Sequence, residues 1–596
     1  MAVYQAPLRD MRFILYELFD AESQWADAGD GGLTPDLADA VLGEAAKLCE
    51  DVLFPLNRSG DEEGCVLENG AVRTPAGFKE AYAAFAEGGW TGLGCDPAHG
   101  GQGLPQLLNM MVLEMVCAAN LSFGMYPGLS RGAYDAVYLH GADDLKSRYL
   151  PKLADGTWSG TMCLTEPQCG TDLGLVRTRA APTGDGGFAI TGDKIFISAG
   201  EHDLTENILH LVLARIDGAP GGTSGLSLFL VPKFLPDADG RPGARNGVAC
   251  TALEHKMGIA ASATCALRFE DATGFLVGRE NSGMRAMFTM MNAARLGVGM
   301  QGLGIMEAAY QGAVAYARER EQGRALSGPK APDRPADPIL HHPDLRRMLL
   351  TGRAYAEGAR ALAAWIAAEL DAAQRASDPQ RRAAAADFVA LMTPIAKALF
   401  TDLGSEVANL GVQVYGGHGY IREHGMEQYV RDARVTQIYE GTNGIQALDL
   451  VGRKLPVGAG RLLRGFFHPV NAFIEAHGAD PALAPFVKPL AKSFQALQGA
   501  TAFLAQKGLA NPDEAAAAAS EYLRLFGLVA LAFMWARMAR AAAPKAAEGG
   551  EDSAFYRAKL GTARFYMARL LPQAGALYAA ITGGGGSILD FALEDF

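Results

Sequence analysis

The texture of the chain changes twice along its length, and that pattern limits its fold more than any single motif. From about residue 159 to 280, short apolar runs such as Leu209-His210-Leu211-Val212-Leu213 and Leu226-Ser227-Leu228-Phe229-Leu230-Val231 are separated by Gly/Pro clusters. This is the spacing of short strands and turns. On either side, apolar residues recur at helical intervals, over 36–56, 75–88 and, without a proline, 283–322. Five prolines between Leu326 and Pro343 predict a loop. Helical texture returns at Asp344 and continues with breaks to about 455, and an Ala-rich helical region follows to a Gly583–Gly586 and acidic tail. Strands confined to one stretch between helical blocks predict an α+β multidomain chain. The expected domains are a helical one at 1–158, a β-domain at 159–282, a helical bundle at 283–458 and a helical extension at 459–596.

The chain of 596 residues is too long for one core. Lys+Arg 53 against Asp+Glu 66 leaves a net charge of −13, which argues against nucleic acid or an anionic membrane as the main partner. Eight cysteines are scattered with no Cys-x-x-Cys or Cys/His array, so reduced thiols in a cytoplasm are expected, with no metal. The first residues interleave Arg9 and Arg12 with Asp10, Glu17 and Asp20, unlike a signal peptide. The longest apolar stretch, 525–536, reads as a buried helix too short to span a bilayer. The turn cluster at 96–105 lacks the Gly-x-Gly-x-x-Gly spacing of a dinucleotide fingerprint.

Four blocks carry candidate chemistry. Tyr439-Glu440-Gly441-Thr442 puts a carboxylate beside a glycine, which permits close approach to a ligand; taken alone, it reads better as a charged helix end with a glycine cap. Upstream lies Gln413-Val414-Tyr415-Gly416-Gly417-His418-Gly419-Tyr420. Thr165-Glu166-Pro167-Gln168-Cys169-Gly170-Thr171-Asp172 closes a strand-like run with a polar turn, and Cys163 and Cys169 read as core packing. In Lys194-Ile195-Phe196-Ile197-Ser198, alternation sets Phe196 and Ser198 on one strand face.

Together, and in this order, these blocks resemble the acyl-CoA dehydrogenases. So do Glu254-His255-Lys256-Met257-Gly258, Asn292-Ala293-Ala294-Arg295 and Tyr316-Ala317-Arg318-Glu319-Arg320-Glu321-Gln322. The resemblance implies a helical domain, a small β-barrel or sandwich, a helical bundle and an extra C-terminal helical domain. It implies tightly but non-covalently bound FAD, contacted by Thr165, Gly170, Thr171, Phe196, Ser198 and Thr442. Arg320, Gln322, Gln413, Gly416 and Gly417 would reach the FAD of a second subunit, hence a homodimer. Arg295, Asn292 and Gly441 would contact the acyl-CoA. Glu440 would be the base that takes the α-proton, with its backbone N–H and a ribitol hydroxyl holding the thioester oxygen. Some branches place the base immediately before the arginine matching Arg295; here that residue is Ala294. Phe196 and Ser198 stand where the family commonly has Trp and Thr, and Gly323-Arg324 where it often has Phe-Gly. Electrons are expected to pass to an electron-transfer flavoprotein.

The opening 4–13 and the long C-terminal extension resemble a bacterial subgroup of ~600 residues. Short or medium acyl-CoAs are therefore expected, 3-methylmercaptopropionyl-CoA first, with Met290, Met291 and Met300 as a soft lining or as core packing. The alternatives are a medium- or long-chain fatty acyl-CoA dehydrogenase, an acyl-CoA oxidase and a non-catalytic helical scaffold.

Overall fold

The computed structural model describes residues 3–27, 32–184 and 186–596. The chain divides into two compact units. One, the helical unit, comprises residues up to Ala46, Gln106–Glu114 and Val298–Phe596; the other, the barrel unit, comprises Lys47–Pro105 and Met115–Gly297.

In the barrel unit, the strands Thr264–Val277, Phe188–Ser198, Arg179–Pro182, Asn207–Ile216 and Leu226–Pro232 pair in a circuit that closes on itself. Closure removes exposed edges, and Val248–Leu253 and Trp158–Cys163 add to it from outside. Asn207–Ile216 is almost entirely buried, as its continuous apolar run requires. Val212, Phe229, Val231, Ile190 and Phe269 fill the interior. Cys163 and Cys169 are both buried among core residues. The sequence reading missed the small hairpin of Val66–Glu68 and Ala71–Arg73, whose three-residue strands leave almost no periodic signal. The helix expected over 36–56 is interrupted at Leu48–Leu53 by a wider turn, and Pro55 begins a new helix.

The helical unit is built on long helices. The helix predicted at 283–322 runs over Gly283–Glu319, and the proline-rich loop ends where Pro343–Arg375 begins. Pro379–Tyr415 follows after a short turn. Gly302 and Gly404 let two helices meet backbone to backbone: a Cβ on Gly302 would lie 2.4 Å from Phe400 O, and one on Gly404 2.8 Å from Gly302 O. The apolar stretch 525–536 lies within Ala519–Glu548, a helix of 30 residues. By length and composition this helix and the one starting at Pro379 are long enough to cross a membrane, which corrects the expectation that the stretch is too short; yet 83% of the apolar window in Ala519–Glu548 is buried inside the protein. Its Trp535 donates to Ala354 O, and Phe533 packs with Trp365, Phe466 and Phe473. The terminal tail carries short helices at Gly586–Leu589 and Leu593–Asp595.

One ion cluster ties the segments of this unit together. Arg360, 2% exposed, donates from Nε to Glu114 at 2.8 Å, from Nη1 to Asp10 and from Nη2 to Glu307 at 2.6 Å. Lys559 bridges Asp10 and Glu357, and Arg353 also donates to Glu357. Three cations thus face four carboxylates. Burial, only partly offset by Arg360 and reinforced by Glu307 and Asp10, pushes the Glu114 carboxyl up to about 7. Asp10 stays below its usual range because Lys559 and Arg360 outweigh its burial. Removing one partner of a buried ion cluster strands the others. Arg360→Met is therefore expected to destabilise the protein by about 3–5 kcal/mol, read as a lowered urea midpoint; an unchanged midpoint would contradict this account.

Candidate active site

The helical unit carries a strained turn at the candidate base. Met426–Thr436 ends at Gln437, and the chain then enters the left-handed region twice, at Glu440 with φ +57° and Gly441 with φ +82°. Gly441 takes this conformation freely, but for Glu440 it costs on the order of 1–3 kcal/mol and must be held by its surroundings. Thr442 caps the helix Asn443–Asp449 by accepting from Ile445 N at 3.3 Å. The turn is held by residues of Pro379–Tyr415 and of the helix that follows it. Lys397 Nζ donates to Gly441 O at 3.0 Å and Asn443 Oδ1 at 2.8 Å. Asn443 Nδ2 in turn donates to Asp402 at 2.7 Å, and Gln437 donates to the same oxygen. Buried Gln446 donates to Glu440 O and Gly441 O. Glu440 itself is half-buried.

The same unit brings two further predicted segments together. Tyr316 stacks on Tyr415 at 4.1 Å and hydrogen-bonds His418 at 2.9 Å; His418 stacks on His424. Beside this stack, Gln413, Gly416 and Gly417 are exposed, and the places of the missing Cβ atoms on both glycines are open. Arg320 and Gln322 lie just past the end of Gly283–Glu319, exposed and in contact with each other. Their backbone is held by Asp337 O and Ile339 N. Arg324, at the position where the sequence departs from the family pattern, donates to buried Asp337 and to Ala331 O. It supports the loop, and backbone N–H groups of Ala325, Lys330 and Ala331 hold the Asp337 carboxyl well below its usual range despite its burial.

In the barrel unit, Ile195 N donates to Thr165 O at 2.9 Å, joining the Thr165–Thr171 loop to the strand that bears Phe196 and Ser198. Here Ile195 and Phe196 together oppose a single residue, Ala266, of the neighbouring strand. This bulge shifts the alternation. Lys194 points inward with Ile190, whereas Phe196, at φ +59°, is 59% exposed and Ser198 half-buried. The loop is anchored by buried Glu166. Its Oε1 accepts from Lys194 Nζ at 2.9 Å and from Thr178 N and Oγ1; its Oε2 accepts from Arg177 N and Gln168. Burial alone would raise the Glu166 carboxyl, but Lys194 and these donors hold it down at about 2. Gly170 and Thr171 are exposed on the anchored loop, with open space at the Gly170 Cβ position. Arg295 is 7% exposed, with Asn292 at 3.4 Å and Phe288 beneath its guanidinium. Met290 packs on Gly132 within the core, Met300 is also buried, and Met291 is half-buried.

Models of the acyl-CoA dehydrogenase N-terminal, middle and C-terminal domains match residues 39–157, 161–272 and 281–455, and one described as acetyl-CoA dehydrogenase C-terminal like matches 466–592. The chain belongs to the acyl-CoA dehydrogenase family. It is 44% identical over 595 residues to 3-methylmercaptopropionyl-CoA dehydrogenase of Ruegeria pomeroyi, covering 99% of this chain and 100% of that one. It is 34% identical over 609 residues to a butyryl-CoA dehydrogenase of Syntrophomonas wolfei, covering 100% and 99%. The crystal structure of a Bacillus anthracis acyl-CoA dehydrogenase complexed with FAD shares the fold, with a TM-score of 0.74 at 20% identity over 92% of this chain and 89% of that one. This acyl-CoA dehydrogenase is accordingly an FAD-dependent oxidoreductase. Its residues fit that cofactor: an exposed aromatic ring in a strained bulge, hydroxyls on the same anchored loop and strand, and glycines whose Cβ space is open. Oxidase and scaffold readings are not favoured by these relatives.

Sequence reading overlooked Glu166–Lys194 as an anchor, and Lys397 and Gln446 as the holders of the Glu440 turn. The available signals were Lys194 on the inward phase of an apolar strand and Lys397 as the single charge between Asp387 and Asp402. Because the Glu166 carboxyl lies lower folded than its ordinary 4.5, its stabilisation is complete above that pH and fades as pH falls toward about 2. Glu166→Gln should flatten the loss of thermal stability between pH 5 and 3. At pH 7 it should destabilise by about 3–5 kcal/mol, since Lys194 stays buried without its counterion; an acid melting profile identical to wild type would refute this.

Proposed function

We propose that this dehydrogenase oxidises a short acyl-CoA, 3-methylmercaptopropionyl-CoA in the first place, to its trans-2-enoyl thioester, with Glu440 as the base. What supports the substrate is the 44% identity to the Ruegeria pomeroyi enzyme along essentially the whole of both chains; a second reading, butyryl-CoA, rests on the Syntrophomonas wolfei relative. What supports Glu440 is its place in a left-handed turn that buried donors hold.

In this mechanism the Glu440 carboxylate removes the α-proton. Bound FAD supplies the acceptor for the β-hydride. The Glu440 N–H donates to the thioester oxygen as negative charge develops there. Arg295, Asn292 and Gly441 contact the acyl-CoA. Phe196 would give its exposed ring to the cofactor, Thr165, Ser198 and Thr442 would offer it hydroxyls, and Gly170 and Thr171 would hold its phosphates. Arg320, Gln322, Gln413, Gly416 and Gly417 serve the cofactor of a second copy of the chain. Electrons leave to an electron-transfer flavoprotein, and the free thiols suit a cytoplasmic setting.

Anaerobic stopped-flow flavin reduction with 3-methylmercaptopropionyl-, butyryl-, octanoyl- and palmitoyl-CoA tests substrate and base together. The expected order places the first two ahead, and Glu440→Gln should bind substrate while reducing its flavin ~10²–10⁴-fold more slowly. A preference for octanoyl- or palmitoyl-CoA rejects the substrate, and a wild-type rate in Glu440→Gln rejects the base.

Sedimentation of the FAD-loaded protein should give a dimer. A flavin-replete monomer would refute the role of a second copy, and a stable tetramer would refute the dimer as the complete assembly.

A further inference from the structure

Lys397 is fully buried, on a stretch of helix that is otherwise apolar from Phe388 to Phe400 apart from Thr393. An ammonium in such a place is costly unless well satisfied, and a methionine would fill the same volume without that cost. Its donors go to Gly441 O and Asn443 Oδ1, both within three residues of Glu440. Gln446, also fully buried, holds the Glu440 and Gly441 carbonyls at 3.3 and 3.2 Å. Asn443 is fixed in turn by Asp402 and by Thr401, one helical turn beyond Lys397. The two peptide carbonyls that follow Glu440 are thus clamped by buried donors, one of them charged, in a conformation that a glutamate does not adopt unaided.

We propose that Lys397 is a positioning residue for the reaction: by holding Gly441 O and Asn443 Oδ1 it fixes the left-handed Glu440–Gly441 turn and so aims the base. This rests on the reading of Glu440 as the base. Lys397 touches neither substrate nor cofactor in this role; it acts through Glu440 alone.

The test uses FAD-loaded Lys397→Met, Lys397→Gln, Glu440→Gln and the Lys397→Met/Glu440→Gln double variant. Each is measured anaerobically with butyryl-CoA for flavin content, for Kd from the perturbed flavin spectrum and for the limiting rate of flavin reduction. A misplaced base costs on the order of 10²-fold, so Lys397→Met should lower the limiting rate by about that much while flavin content and Kd stay at wild-type values. In the Glu440→Gln background the same substitution should lower the rate no further, because nothing remains for Lys397 to aim. A wild-type rate in Lys397→Met overturns the proposal, and so do multiplicative losses in the double variant. If Lys397→Met does not load FAD, Lys397→Gln takes its place; failure of both to fold with FAD overturns positioning in favour of a purely structural role. Failure of the base assignment shows separately, as a wild-type rate in Glu440→Gln alone.

Discussion

The helical unit depends on a buried arginine. Arg360 gathers carboxylates from the N-terminal segment, from Gln106–Glu114 and from the helix Gly283–Glu319, and through Asp10 it reaches Lys559 of the C-terminal extension. Segments hundreds of residues apart are thereby made mutually dependent. Hydrophobic packing does not discriminate sharply among registers of long Ala-rich helices, whereas a guanidinium with three carboxylate partners is satisfied in one arrangement only. The cluster has a surplus carboxylate, and burial beside Glu307 and Asp10 raises the Glu114 carboxyl. The extension at 466–592 is in this sense part of the unit's core, with Trp535 and Phe533 seated against Pro343–Arg375.

The candidate site is organised by the same physics on a smaller scale. In each unit a buried lysine anchors a loop of the candidate site. Lys194 with Glu166 anchors the Thr165–Thr171 loop beside a bulge that turns Phe196 outward, and Lys397 with Gln446 holds the turn at Glu440. Left-handed non-glycine residues at both Phe196 and Glu440 are strain retained by the surroundings. Under the proposed function, that strain serves to present an aromatic ring and a carboxylate in fixed directions.

Much of this was legible beforehand. Long proline-free periodic runs announced Gly283–Glu319, and Gly/Pro-punctuated apolar runs announced the strands, because a helix and a strand differ in period before any tertiary contact exists. The motif around Glu440 was legible by resemblance. What stayed hidden were features without a local period. Closure of the barrel depends on pairings between distant strands, and the three-residue strands of Val66–Glu68 and Ala71–Arg73 are below the length at which alternation shows. The holders of Glu440 escaped notice because a lysine in an apolar helix reads locally as a misfit, and its partners lie 44 and 46 residues further on. Met290 and Met300 show the reverse: suggestive positions near Arg295 that are buried in the structure, Met290 against Gly132.

With Glu440 as the proposed base, the same constraints account for the build of its turn. A carboxylate on the long helix before Arg295 would be aimed by helix geometry alone, but Ala294 stands there. Placing the carboxylate at Glu440 instead adds the cost of a left-handed residue, and a turn that is strained when isolated would relax and lose its aim. Gly441 removes the steric cost of the second left-handed residue, and Thr442 begins the next helix at once, so the strain is confined to one residue. Lys397 and Gln446 then hold the peptide carbonyls of the turn. Fixing the backbone that carries the carboxylate is what a base that must be rigid in position needs from its surroundings.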